Sequence, residues 1–173
     1  MQGNLVILRK KITGLSPSTL GRFVLHARRA VHLRDTVNVL VTNNRELRSL
    51  NRQFRGKDKA TDVLSFPSPQ LALRRSKQLA GELAISADIA RENARRLGHS
   101  VAEEIKILVL HGILHLSGFD HERDNGKMAR EETRLRHRLS LSVGLIERTE
   151  ARPAQHRDRK PLREHPSARR RTL

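Results

Sequence analysis

The sequence predicts an α+β fold of four short strands and about five helices, one of them buried at the centre and carrying a metal site. Two observations lead there. Apolar residues switch between alternate and helical spacing between Leu5 and Val143. The stretch after Lys106 is apolar on nearly every helical face, as suits a helix enclosed by other elements.

Leu5-Val6-Ile7-Leu8 reads as the first strand. Ser16-Pro17 then starts a helix, a capping hydroxyl followed by proline in the first turn, with Leu20, Phe23, Val24, Ala27 and Val31 at helical spacing. Val37, Val39 and Val41 alternate as a second strand. A short helix begins near Asn44, with Leu47, Leu50 and Phe54 on one face. Asp62 to Phe66 reads as a third strand stopped by Pro67, and 67–77 as a basic loop. Leu79 to Ile85 reads as the fourth strand, and Ser86 caps a helix that ends at Gly98. Ser100-Val101-Ala102-Glu103 is a capping box that opens the central helix, which runs to Gly118. A last helix starts near Asp124 or Asn125, with Met128, Leu135, Leu139 and Val143 inward.

The organisation is one domain over 1–147 and a basic, disordered tail over 148–173. Residues 151–173 hold eight Lys or Arg against Asp158 and Glu164, with three prolines, so they cannot bury enough apolar surface to offset ordering. That segment carries +6 of the net +17, and residues 1–150 keep +11.

Charge and composition narrow the function. A net charge of +17 points to a polyanionic partner, because neutralising phosphates releases condensed counterions. There is no Trp or Tyr and only four Phe, so contacts are expected from Arg and Lys to phosphate rather than from a stacking platform. No cysteine is present, which excludes disulfides and Cys-based zinc modules. No run approaches the ~20 apolar residues of a membrane span, and the run at Leu5–Leu8 is too short for a signal peptide. A cytoplasmic chain without membrane association is the expectation.

The chemistry concentrates between His111 and His121. His111 and His115 stand four apart, so on a helix they differ by about 40° in azimuth and about 6 Å in rise and share a face. Gly118 ends that helix in a left-handed conformation and turns the chain, which lets His121 close the site. Three neutral imidazoles with an open fourth position make a catalytic zinc pattern, in which a bound water has a pKa near ~7. Asp120 and Glu122 flank His121 and are candidates to orient a ligand imidazole. The spacing matches that of metzincin proteases, but their general base directly follows the first histidine, and here that residue is Gly112.

The segment His111-Gly112-Ile113-Leu114-His115-Leu116-Ser117-Gly118-Phe119-Asp120-His121 resembles the zinc motif of the YbeY family, bacterial metal-dependent endoribonucleases of ribosomal RNA maturation. A second family segment is matched by Leu50-Asn51-Arg52-Gln53-Phe54-Arg55-Gly56-Lys57-Asp58-Lys59-Ala60-Thr61-Asp62-Val63-Leu64-Ser65-Phe66-Pro67. The likeness covers roughly residues 4–145. It departs at Ala60, where Pro is usual, at Phe54, where Tyr is usual, and at Glu82, where Asp is usual. The resemblance implies a mixed four-stranded sheet flanked by helices, one Zn2+ per chain on the three histidines, and a functional arginine in the metal cleft that maps to Arg55. Glu82, Lys57, Lys59 and Asp120 are candidate substrate-binding or supporting residues.

Arg55, Lys57 and Lys59 lie in a Gly-containing loop, where arginine offers bidentate contacts to phosphate and lysine adds point charge. The reading that follows is a zinc-dependent, single-strand-specific endoribonuclease acting in 16S ribosomal RNA 3'-end maturation and ribosome quality control. Its partners are ribosomal RNA and the small ribosomal subunit, with no DNA expected. The alternatives are a zinc metalloprotease-like hydrolase and a non-catalytic ribosome-assembly factor with a stabilising zinc. Oligomeric state is not legible in the sequence.

Overall fold

The computed structural model describes residues 3–69, 79–121 and 123–141. The chain runs β1 (Val6–Leu8), α1 (Pro17–Ala30), β2 (Thr36–Thr42), α2 (Asn44–Arg55), β3 (Val63–Pro67), β4 (Leu79–Ser86), α3 (Ala87–Leu97), α4 (Val101–Leu116) and α5 (Lys127–Arg138). The expected four strands, five helices and mixed sheet are all present. The basic tail and Val143 lie outside the described residues, as does most of the basic loop, 70–78.

The sheet has the order β1-β2-β4-β3. β1 with β2 and β2 with β4 are parallel, while β3 pairs antiparallel along the far side of β4. α1 is the crossover between the first parallel pair, since parallel neighbours need a long connection. β3 ends at Pro67, as the sequence suggested. This last residue stands opposite Gly81. β3 is an edge strand, where a residue without an N–H costs least.

α4 is the central helix, with twelve of its sixteen residues buried. Ile105, Leu108 and Ile113 join Val37, Val39, Val41, Leu83 and Ile85 in one core. Alternate residues of β4 face opposite ways. Ala84 accordingly belongs to a second, smaller cluster with Leu47 of α2 and Leu64 of β3. α2 covers only part of that second face. Leu5 and Ile7 stay exposed there, and so does Phe54, 59 % exposed although its spacing put it with Leu47 on the inward side. These residues line a groove of about 780 Å³ that also includes Arg55, Phe66 and Glu82. Among the described residues no helix is long and apolar enough to cross a membrane.

Local signals fix most helix ends. Ser16, Ser86 and Ser100 each accept a hydrogen bond from the backbone N–H three residues on, as N-caps do. Gly98 closes α3 at φ 75°. The fifth helix starts later than expected, at Lys127, because Asn125 and Gly126 both take positive φ (53° and 79°) and break the helical path. Asp124 still acts as a cap, its Oδ2 accepting from Met128 N at 2.8 Å.

Candidate metal centre

α4 ends at Leu116, and its last two turns carry His111 and His115 on one side. Gly118 follows at φ 93°, in the left-handed region, and the chain turns back as the spacing required. That turn brings His121 to the pair. The ligand atoms of His111, His115 and His121 all lie within 4.8 Å of one another. His111 is buried, His115 half-buried and His121 exposed, so the group opens to solvent at its third member.

Hydrogen bonds assign the orientation of the His111 and His115 rings. His115 Nδ1–H donates to the Phe119 carbonyl at 3.0 Å, a bond supplied by the turn after Gly118. His111 Nδ1–H donates to Glu132 Oε2, also at 3.0 Å. Both Nε2 atoms are left with their lone pairs, and they face each other at 3.2 Å. Two acceptors at that distance repel unless a cation lies between them. Two ligands at tetrahedral angle around zinc, with bonds of 2.0–2.1 Å, stand about 3.3–3.4 Å apart. The donor set therefore fits a transition-metal ion. Burial, and then the proximity of His111 and His121, pushes the His115 imidazole below its ordinary pKa, which favours the neutral form that binds metal.

Glu132 is the residue that sequence reasoning missed. It sits in α5, 1 % exposed, on the same face as Met128 and Leu135. A carboxylate at helical spacing between two core residues is costly to bury unless it is paired. That was the available signal. The candidate named instead, Asp120, is half-buried, and its charge acts on His115 to raise its pKa, against the larger lowering effects. Glu122 lies outside the described residues.

The other candidates are placed around β3. Arg55 is the last residue of α2, and its Nη2 donates to the Ser65 carbonyl at 3.2 Å. Ser65 also touches the metal helix: a Cβ built at Gly112 would stand 3.2 Å from Ser65 Oγ. Ser65 of the edge strand thus lies between Arg55 and α4. Glu82 is exposed in the groove with Arg55, and its Oε1 accepts from Asn38 Nδ2 at 3.3 Å. Lys57 and Lys59 are exposed in the segment after Gly56.

Gly112 is buried against the sheet. A Cβ there would fall 2.6 Å from Leu83 Cδ2 and 3.0 Å from its Cδ1. The position that holds the protease base in the metzincin pattern is here a packing contact with Leu83 and Ser65.

Comparison with known proteins gives the family. The profile of the family described as Endoribonuclease YbeY matches residues 12–140. A protein of that name from Koribacter versatilis is 54 % identical over 145 residues, covering 84 % of this chain and 91 % of its own length. One from Solibacter usitatus is 45 % identical over 150 residues, covering 87 % and 97 %. Among solved structures, the solution structure of a Thermotoga maritima protein matches with a TM-score of 0.51 at 26 % identity, covering 91 % of this chain and all of that one.

Proposed function

This chain belongs to the YbeY family of endoribonucleases, and from that premise we propose that it cleaves RNA with one zinc ion held by His111, His115 and His121. The observation that carries the metal part is the convergence of the three imidazoles, two of them anchored through Nδ1 by Glu132 and the Phe119 carbonyl. When bound, the ion supplies Lewis acidity toward a phosphoryl oxygen and lowers the pKa of a water to near ~7.

The protein's own residues do the rest. Glu132 and the Phe119 carbonyl hold the imidazoles in the ligating tautomer, so no reorientation is needed when substrate arrives. Arg55 keeps one N–H on Ser65, and its other donors are free to meet charge developing on the phosphoryl oxygens. The net charge of +17 draws the polyanion in. The substrate we propose is 16S ribosomal RNA, cut in accessible single strand near its 3' end during maturation and ribosome quality control on the small subunit, in the cytoplasm. The support is the family membership and the basic charge together.

The test is metal analysis of the purified protein beside a ribosomal RNA cleavage assay. One zinc per chain is expected, with cleavage lost on chelation and restored by zinc. His121→Ala should lose both metal and cleavage. Full cleavage by metal-free protein would remove the metal from the mechanism. Metal binding without any cleavage would leave the ion a stabilising role only.

A further inference from the structure

α2 carries arginine at positions 45, 48, 52 and 55, a spacing of three, four and three that lines up as one stripe along a helix. Arg45 and Arg52 stand two turns apart, about 10.5 Å along the axis. All four are exposed. Leu47, away from the stripe, and Asn51, on its border, are buried, so the stripe is fixed in direction by packing.

The following segment is fastened to the same side. Arg48 makes a bidentate pair with Asp58, at 2.8 Å from Nε and 2.8 Å from Nη2. Asn51 Nδ2 donates to the Lys59 carbonyl at 2.8 Å. Lys57 and Lys59 are thereby held beside the stripe. The only acid of α2, Glu46, is turned away to Arg9 and Thr42. Arg45, Arg48 and Arg52 thus surround a single carboxylate, Asp58, and Lys57 and Lys59 add two exposed cations in the same segment. Arg45, Arg48, Ser49, Arg52, Gln53 and the paired Asp58 line a surface pocket of about 320 Å³ with no aromatic ring.

We infer that this face of α2 is a docking surface for the phosphate backbone of an RNA helix next to the strand that is cut. The inference rests on the nuclease reading above. A row of guanidinium groups without aromatic rings suits phosphate and shape recognition rather than base stacking. The stripe ends at Arg55, whose guanidinium reaches the edge strand beside the metal helix. A duplex held along Arg45 and Arg52 would deliver its unpaired extension at that end.

The experiment compares a hairpin RNA carrying a single-stranded 3' extension with the extension alone. The proteins are wild type, R45Q/R52Q and the charge-reversed R45E/R52E, as full chains loaded with zinc. Fluorescence anisotropy over a range of salt gives affinity and its salt dependence. For the hairpin RNA, R45Q/R52Q should lower the slope of log affinity against log salt by about two, and R45E/R52E should weaken binding at least about tenfold. Zinc content and binding of the bare extension should not change. An unchanged slope overturns the docking surface. Equal losses on both RNAs overturn its assignment to a duplex. Cleavage is read separately: if the wild type cuts neither RNA, the nuclease reading fails, while the binding slopes still decide the surface.

Discussion

Glu132 Oε2 and His111 Nδ1 lie 3.0 Å apart in the protein interior, joined across 21 positions of sequence. The contact brings α5 onto the end of α4 and makes the first histidine's orientation depend on the last helix. Such carboxylate–imidazole pairs fix the tautomer and raise the basicity of the ligating nitrogen.

Glu132→Gln keeps the shape of this contact but removes the charge. Zinc affinity should fall by about 10–100-fold, the usual range for losing such a partner. Competition against a chromophoric chelator measures it, with circular dichroism to show that the fold persists. Glu132→Ala should bind zinc no better than Glu132→Gln. Wild-type affinity in both variants would mean that the carboxylate only fills the core.

Two glycines set how closely α4 lies on the sheet. A Cβ at Gly81 would stand 2.5 Å from the Phe66 backbone oxygen and 2.6 Å from Leu116 Cδ2. One at Gly112 meets only side-chain atoms, of Leu83 and Ser65, inside that range. Side chains can yield, whereas a paired backbone carbonyl cannot. Gly112→Ala also gains about 1 kcal/mol of helix propensity, against an overpacking cost of about 1–3 kcal/mol. Gly81→Ala should therefore destabilise more than Gly112→Ala. Thermal and urea unfolding give the order, and the reverse order would contradict the packing described here.

The same comparison shows what could be read from the sequence. The three histidines and the left-handed Gly118 followed from spacing alone, because a helix turn and a stop signal are local. The serine caps before α1, α3 and α4 are local too. Glu132 was not found, since periodicity shows that a residue faces inward but not which element it meets. The position of β4 between β2 and β3 was hidden for the same reason. Phe54 misled in the other direction. Its spacing marks the inward side of α2, but the sheet it would cover is only partly covered, and the ring stays in an open groove against Phe66 at 5.2 Å between centroids.

Acid should weaken the metal-free protein through His115. Burial, then the neighbouring His111 and His121, lowers its pKa from the ordinary value of 6.5. Below that value the unfolded chain binds a proton that the folded chain resists. Stability from this group is thus fully present above about pH 6.5 and declines as pH falls from there toward the lowered folded value. Melting temperatures of chelator-treated protein should drop between pH 7.5 and 5.5. His115→Gln should flatten that part of the profile. An equal drop in the variant would place the sensitivity elsewhere.

Arg55 and the rest of its stripe should separate kinetically. Arg55 donates to the Ser65 carbonyl, and the Ser65 hydroxyl lies beside Gly112 of the helix that carries His111. Arginine has five donors and can hold this anchor while meeting a phosphoryl oxygen with others. Lysine keeps the charge but has no planar fork to do both. Arg55→Lys should therefore lose about 10²-fold in kcat, comparable to losing one aimed donor at a developing oxyanion. Zinc content and melting temperature should stay as in the wild type. By contrast, R45Q/R52Q should raise KM for hairpin-tailed RNA and leave kcat alone, because those residues meet only the flanking backbone. Initial rates of cleavage across RNA concentrations measure both quantities. Unchanged kcat in Arg55→Lys would return Arg55 to the docking stripe, as its last member and nothing more.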